Sequence, residues 1–218
     1  MQEEGVQLKK KIVVPGELLT EERKKVGQHV FLENGKVYSD CLGIYYSDAD
    51  TAAVIPLHGK YIPNTSDLII GIVVSETYAG YIVDINSFYY SFVPKEMFRE
   101  QLKKGAIISA KIVDVNEINE ADLDDVRVFY GGELIDILPV KVPRVIGKQG
   151  SMLELLKKWT QTTMVVGRNG RIWAKGGNIG LSVQAIKKIE REAHLSNLTN
   201  SVEDFLKKSN EQNRGEEE

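Results

Sequence analysis

Along the first 66 positions the apolar residues fall in short β-branched clusters separated by turn formers, a rhythm of strands and not of helices. The run Ile12–Val14 is halted by Pro15 and Gly16. Asn34-Gly35 sits between apolar stretches that end near Leu32 and resume at Val37, which predicts a tight hairpin. Another apolar run, Thr51 to Leu57, follows the turn-forming Asp48-Ala49-Asp50, and Pro63-Asn64-Thr65-Ser66-Asp67 then breaks the pattern.

From Leu68 to Tyr130 the pattern predicts five strands: Leu68 to Tyr78, Tyr81 to Ile85, Tyr89 to Val93, Ile107 to Val115 and Val126 to Tyr130. A helix over Lys95 to Lys103 follows the third strand, and an acidic loop separates the last two. That order predicts a five-stranded OB barrel. After Gly131-Gly132 the pattern predicts a strand over Glu133 to Val140 and a short helix over Val142 to Ile146. Ser151-Met152-Leu153-Glu154 then matches a capping box, so a helix is predicted to start at Ser151 with Met152, Leu155, Leu156 and Trp159 on its apolar face. Strands at Thr163 to Val166 and Arg171 to Ala174 and a helix over Asn178 to His194 complete an α/β unit. The predicted fold is β-rich and multidomain: an N-terminal small β domain (1–65), the OB barrel (66–131), a C-terminal α/β KH domain (132–196), and a short helix with a disordered tail (197–218).

The longest apolar stretch, Leu68 to Val74, is far shorter than the roughly 20 residues a membrane-spanning helix needs, so no membrane partner is expected. The opening does not read as a secretory signal, and Cys41, the single cysteine, forms neither an internal disulfide nor a cysteine-rich zinc site. These features favour a reducing cytoplasmic setting. The net charge of −3 is unevenly spread. Residues 67–138 sum to −7 and residues 139–195 to +8, with −1 before them and −3 after. One segment is thus suited to meet a polyanion.

Within the basic segment, Gly147-Lys148-Gln149-Gly150 stands immediately before a predicted helix. The glycines let a ligand approach the backbone, the free amides of the helix end attract a phosphate, and Lys148 adds a cation. In its setting of strand, short helix, loop, helix, two strands and helix, this is the order of a KH domain, whose loop clamps a nucleotide backbone. A nucleotide-hydrolysing P-loop does not fit, because Val142 stands in place of its first glycine and Gln149 in place of its Ser or Thr. Gly167-Arg168-Asn169-Gly170 has the same spacing but lies between two strands, and reads as a hairpin that uses Gly and Asn for positive φ.

In the OB segment Tyr78 and Tyr81 are candidates for base stacking, with Lys95, Arg99 and Arg127 as candidate phosphate contacts. Tyr89-Tyr90 reads as barrel packing. Glu117, Glu120, Asp122, Asp124 and Asp125 read as a solvated loop, not a magnesium site, because they lack a fixed ligand spacing. His29, His58 and His194 are far apart, with no Cys or Glu at zinc-ligand spacing beside them. With no nucleophile motif either, no catalytic residue, metal or cofactor is expected.

Taken together, Val13-Val14-Pro15-Gly16-Glu17-Leu18, Tyr78-Ala79-Gly80-Tyr81, the loop Gly147 to Gly150 and Gly167-Arg168-Asn169-Gly170-Arg171-Ile172-Trp173 resemble the RNA-binding cap subunits of the exosome. This is the family of ribosomal RNA-processing protein four, and the intact loop Gly147 to Gly150 resembles its archaeal form more than its eukaryotic one. The resemblance spans about residues 10 to 195. It implies a non-catalytic subunit with an N-terminal domain, a ribosomal S-one-type OB domain and a KH domain, sitting with other cap subunits on a hexameric ring of RNase PH-like proteins. Single-stranded RNA would be captured by the cap and passed 3' end first to phosphorolytic sites in the ring, for degradation and processing. It also implies Tyr78 and Tyr81 as the stacking pair and Arg127 as the basic residue of the last strand. Phosphate contact is expected mainly from Gly147, Lys148, Gln149 and Gly150, with Arg144 nearby. The alternatives are a stand-alone OB/KH factor in transcription or translation, a hydrolase using the acidic run, and a ring clamp that touches no RNA.

Overall fold

The computed structural model describes residues 11–215 except Ala49, His58, Arg99, Glu100, His194 and Ser196, with backbone alone for 211–215. The chain divides into two compact units, Met1–Gly59 and Lys60–Glu218. The first unit holds β1 (Lys11–Val13), β2 (Leu18–Thr20), β3 (Lys25–Val26), β4 (Val30–Glu33), β5 (Lys36–Ser39), β6 (Gly43–Ser47) and β7 (Thr51–Pro56). They form two sheets, ordered β1-β6-β7-β3 and β2-β5-β4. Asn34 and Gly35 take φ of 50° and 78°, the two left-handed positions a tight β4–β5 hairpin requires. Val13, Val30, Val37, Ala52 and Val54 fill a small core.

The second unit opens with β8 (Leu68–Glu76), β9 (Gly80–Asp84), β10 (Ser91–Pro94), β11 (Ile107–Val115) and β12 (Ala121–Phe129). Their order is β10-β9-β8-β11-β12, and among the described residues no pairing joins β10 to β12. The expected closed OB barrel is therefore corrected to an open five-stranded sheet. Pro94 ends β10 after four residues without an N–H for another rung, and β12 carries Asp122, Asp124 and Asp125 exposed. Proline and charge are features that keep edge strands from pairing. The helix expected over Lys95 to Lys103 is a single 3-10 turn, Lys95–Met97. Further on, the Leu102 amide donates to the Tyr81 hydroxyl, not to a helical carbonyl. The acidic run is not one loop either: Asn116 to Glu120 forms a turn, and the three aspartates lie on β12.

The remainder comprises β13 (Glu133–Asp136), α1 (Val142–Ile146), α2 (Ser151–Thr160), β14 (Thr163–Val166), β15 (Arg171–Lys175), α3 (Ile179–Glu192) and α4 (Leu198–Gly215). The sheet β13-β15-β14 packs against the helices through Leu156, Ile172, Ile186 and Ile189. The Asn178 side chain caps α3 by accepting from the Leu181 amide at 2.9 Å. Helix α4 is longer than the short helix expected within 197–218: Leu198, Val202 and Leu206 recur every fourth residue and are buried in the same core, and past them the Asn210 side chain donates to the Trp159 carbonyl at 3.2 Å. Among the described residues, no helix is long and apolar enough to cross a membrane.

Candidate nucleic-acid interface

The loop Gly147 to Gly150 joins α1 to α2. Helix α1 ends where the Gly147 amide donates to Pro143 at 2.9 Å and the chain swings to φ 76°. Only glycine fits there: a Cβ would lie 2.6 Å from the Met152 amide nitrogen. Gly150 is different, with φ 84° and open space around the missing Cβ, so a ligand can come close to its backbone. Gln149 holds φ 53°, which for an L-residue costs roughly 1 kcal/mol. Ser151 is already helical, so the expected capping box does not form: Gly150 is the cap residue and offers no side chain.

The effect is to leave the loop's polar groups outward. Lys148 and Gln149 are exposed, the glycines half-buried. Among the described residues, the amides of Lys148 and Gln149 find no backbone acceptor. Two open N–H groups thus stand at the N-terminal end of a ten-residue helix, where the dipole favours negative charge. Arg144, exposed one turn earlier on α1, adds a second cation. Neither Lys148 nor Arg144 enters an ion pair among the described residues, in contrast to Lys95 and Arg127 in the OB-type segment. There Lys95 binds Glu76 at 2.7 Å and Arg127 binds Asp125 at 3.1 Å. Lys95 and Gln101 together hold the Glu76 carboxyl below its usual range. Arg99 lies outside the described residues.

The two tyrosines do not form a stacking pair. Tyr78 is fully exposed, but Tyr81 is 1% exposed, packs edge-on against Phe98 and accepts from the Leu102 amide. Tyr81 alternates inward with Val83 on β9 and with Ile85 just beyond it, so the stacking role is withdrawn from it. Tyr89 and Tyr90, read as packing, are instead exposed, as are Phe88 and Phe92. Phe92 was missed by sequence reasoning. It points outward from β10 between buried Ser91 and Val93, and its ring lies over Gly80, where a Cβ would come within 2.6 Å of it. The alternation on β10 is the signal that would have found it.

The second Gly-x-x-G, between β14 and β15, is a hairpin as expected, but Asn169 is not there for its φ. Its fully buried carboxamide donates to Ile70 and Ile85 carbonyls, both at 2.8 Å, and accepts from the Ile70 amide at 3.2 Å. Strand β9 pairs with β8 only from Ile72 onward, so the earlier peptide groups of β8 need another partner on that side. Asn169 and the Arg168 amide, which donates to Leu68 at 2.8 Å, supply it. Arg171 completes the junction with Asp84 at 2.7 Å and Asp136 at 3.6 Å.

Residues 10–58 match the family described as the exosome RNA binding protein RRP4 N-terminal domain. The exosome complex component Rrp4 of Methanosarcina barkeri is 39% identical over 213 residues, covering 91% of this chain and 82% of that protein. The Rrp4 of Pyrococcus furiosus is 37% identical over 218 residues, covering 90% and 83%. A crystal structure described as an exosome complex RNA-binding protein superposes with a TM-score of 0.65 at 30% identity, covering 71% of this chain and 99% of that one. With identity at this level over nine-tenths of its length, the chain belongs to the Rrp4 family of exosome complex components.

Proposed function

We propose that this protein is a non-catalytic, RNA-binding cap subunit of an archaeal, cytoplasmic exosome. It captures single-stranded RNA and guides the 3' end into a phosphorolytic ring of RNase PH-like subunits beside other cap subunits. The observation that carries the reading is the loop Gly147 to Gly150: two open amides, an unpaired Lys148 and an exposed Arg144 at a helix N-terminus. Phosphate is the guest that such donors select, and bases need not be read. The C-terminal α/β part thus works as a KH-type clamp, and exposed Tyr78, in the turn between β8 and β9, and Phe92, on β10, offer ring faces for sequence-tolerant stacking.

The test is titration of a short single-stranded RNA with the full chain and with the Lys148→Asp/Gln149→Asp variant over a range of salt. The variant is expected to bind at least tenfold more weakly, with a salt dependence shallower by about 0.7 for each phosphate it no longer engages. Equal affinity at moderate salt would remove this loop from the mechanism. Co-elution with the ring subunits tests the assembly separately, and its absence would favour the stand-alone RNA-binding factor.

A further inference from the structure

In the first unit the fold brings His29 to the adjacent pair Asp40 and Cys41, which lie eleven and twelve positions further along the chain. His29, immediately before β4, and Asp40, immediately after β5, face each other across the end of this antiparallel pair. The Asp40 amide donates to the His29 carbonyl at 3.3 Å, and His29 Nδ1 lies 3.3 Å from Asp40 Oδ1. Cys41 comes next in the chain. Its carbonyl accepts from the fully buried Ser39 hydroxyl at 2.7 Å, which fixes the turn that presents the thiol. One ligand atom from each of His29, Asp40 and Cys41 lies within 4.8 Å of the other two.

We propose that His29, Asp40 and Cys41 form a three-ligand site for a divalent zinc ion, with solvent as the fourth ligand. A tetrahedral zinc ion with bonds of about 2.0 to 2.3 Å needs its ligands roughly 3.3 to 3.8 Å apart, so a small side-chain rotation closes the set. The donor types select the metal. Magnesium and calcium require shells of oxygen, whereas a thiolate, an imidazole and a carboxylate together suit zinc. Charge balances as well: on binding, the Cys41 thiol releases one proton to solvent and His29 stays neutral. Thiolate and carboxylate then cancel the two charges of the ion. Asp40 keeps about half of its side chain exposed, which leaves an entry path and room for the water.

The experiment uses the full chain stripped with a chelator and titrated with cobalt as a spectroscopic stand-in, then with zinc. One cobalt per chain is expected, with a thiolate-to-cobalt charge-transfer band that zinc removes. Cys41→Ser, close to isosteric, should abolish the band and weaken zinc binding at least tenfold while leaving the circular dichroism unchanged. Asp40→Asn should weaken it to a lesser degree. A control pair on β12, Asp124→Asn/Asp125→Asn, should leave the affinity as it was. No band, a band that survives Cys41→Ser, or zinc affinity that follows the β12 pair would each overturn the site.

Discussion

Two Gly-x-x-G tetrapeptides stand twenty positions apart, and the same spacing serves opposite ends. At Gly147 to Gly150 the two central residues are exposed and their amides open. At Gly167 to Gly170 the central Asn169 is fully buried with its carboxamide donors and acceptor all engaged. The glycines differ in kind too. Gly150 has free space where a Cβ would be, while a Cβ on Gly170 would lie 2.4 Å from the Ile137 carbonyl oxygen. A glycine pair therefore says that backbone comes close to something. The next element in the chain, a helix or a strand, decides whether that something is a ligand or the protein itself.

The comparison breaks most readily at Asn169. Asn169→Ala strands the Ile70 amide and the Ile70 and Ile85 carbonyls, each buried group costing about 1 to 3 kcal/mol. A loss of about 3 kcal/mol or more in unfolding free energy is expected from urea titration, with RNA affinity of the folded fraction unchanged. Next in size is Gly147→Ala, which forces a Cβ against the Met152 amide at an unfavourable φ. It should cost about 2 kcal/mol, against about 1 for Gly150→Ala, which meets only the left-handed backbone penalty. Equal losses for the two glycines would mean that close packing at Gly147 is not what sets the turn.

Lys148→Asp/Gln149→Asp should do the reverse of Asn169→Ala, leaving thermal stability within about 0.5 kcal/mol of the parent while RNA binding falls. The smallest effect belongs to acid. Burial pushes the Asp84 carboxyl up, but the Arg171 guanidinium and the Asn86 amide outweigh it and hold the group below its usual value. A depressed folded-state pKa gives a contribution that is complete above the ordinary Asp value of about 3.9 and is lost as pH falls through the folded one. Asp84→Asn should flatten the stability profile in that acid window and leave its slope at neutral pH as before.

Much of the fold was legible where one local signal decides it. Asn34-Gly35 set a hairpin because both residues tolerate left-handed φ, and helix α2 began at Ser151 as expected, although Gly150 and not the capping box of Ser151 and Glu154 forms its cap. What stayed hidden depends on groups distant in sequence. Closure of the five-stranded sheet turns on whether two edges meet, which Pro94 and the aspartates of β12 bear on without any periodic sign. The burial of Tyr81 was written in its alternation with Val83 and Ile85, but the aromatic motif drew attention to the wrong face. The job of Asn169 needed knowledge of a gap on β8, and the meeting of His29 with Cys41 needed the register of β4 on β5.

That gap on β8 has a mechanical consequence. Because the Ile70 amide is held by a side chain from the α/β part, the β8 end of the sheet cannot fray without pulling Asn169 out of its seat. Deuterium should enter the Ile70 amide only as fast as both layers come apart together. A strand gripped on one layer then tugs on a single stiff piece.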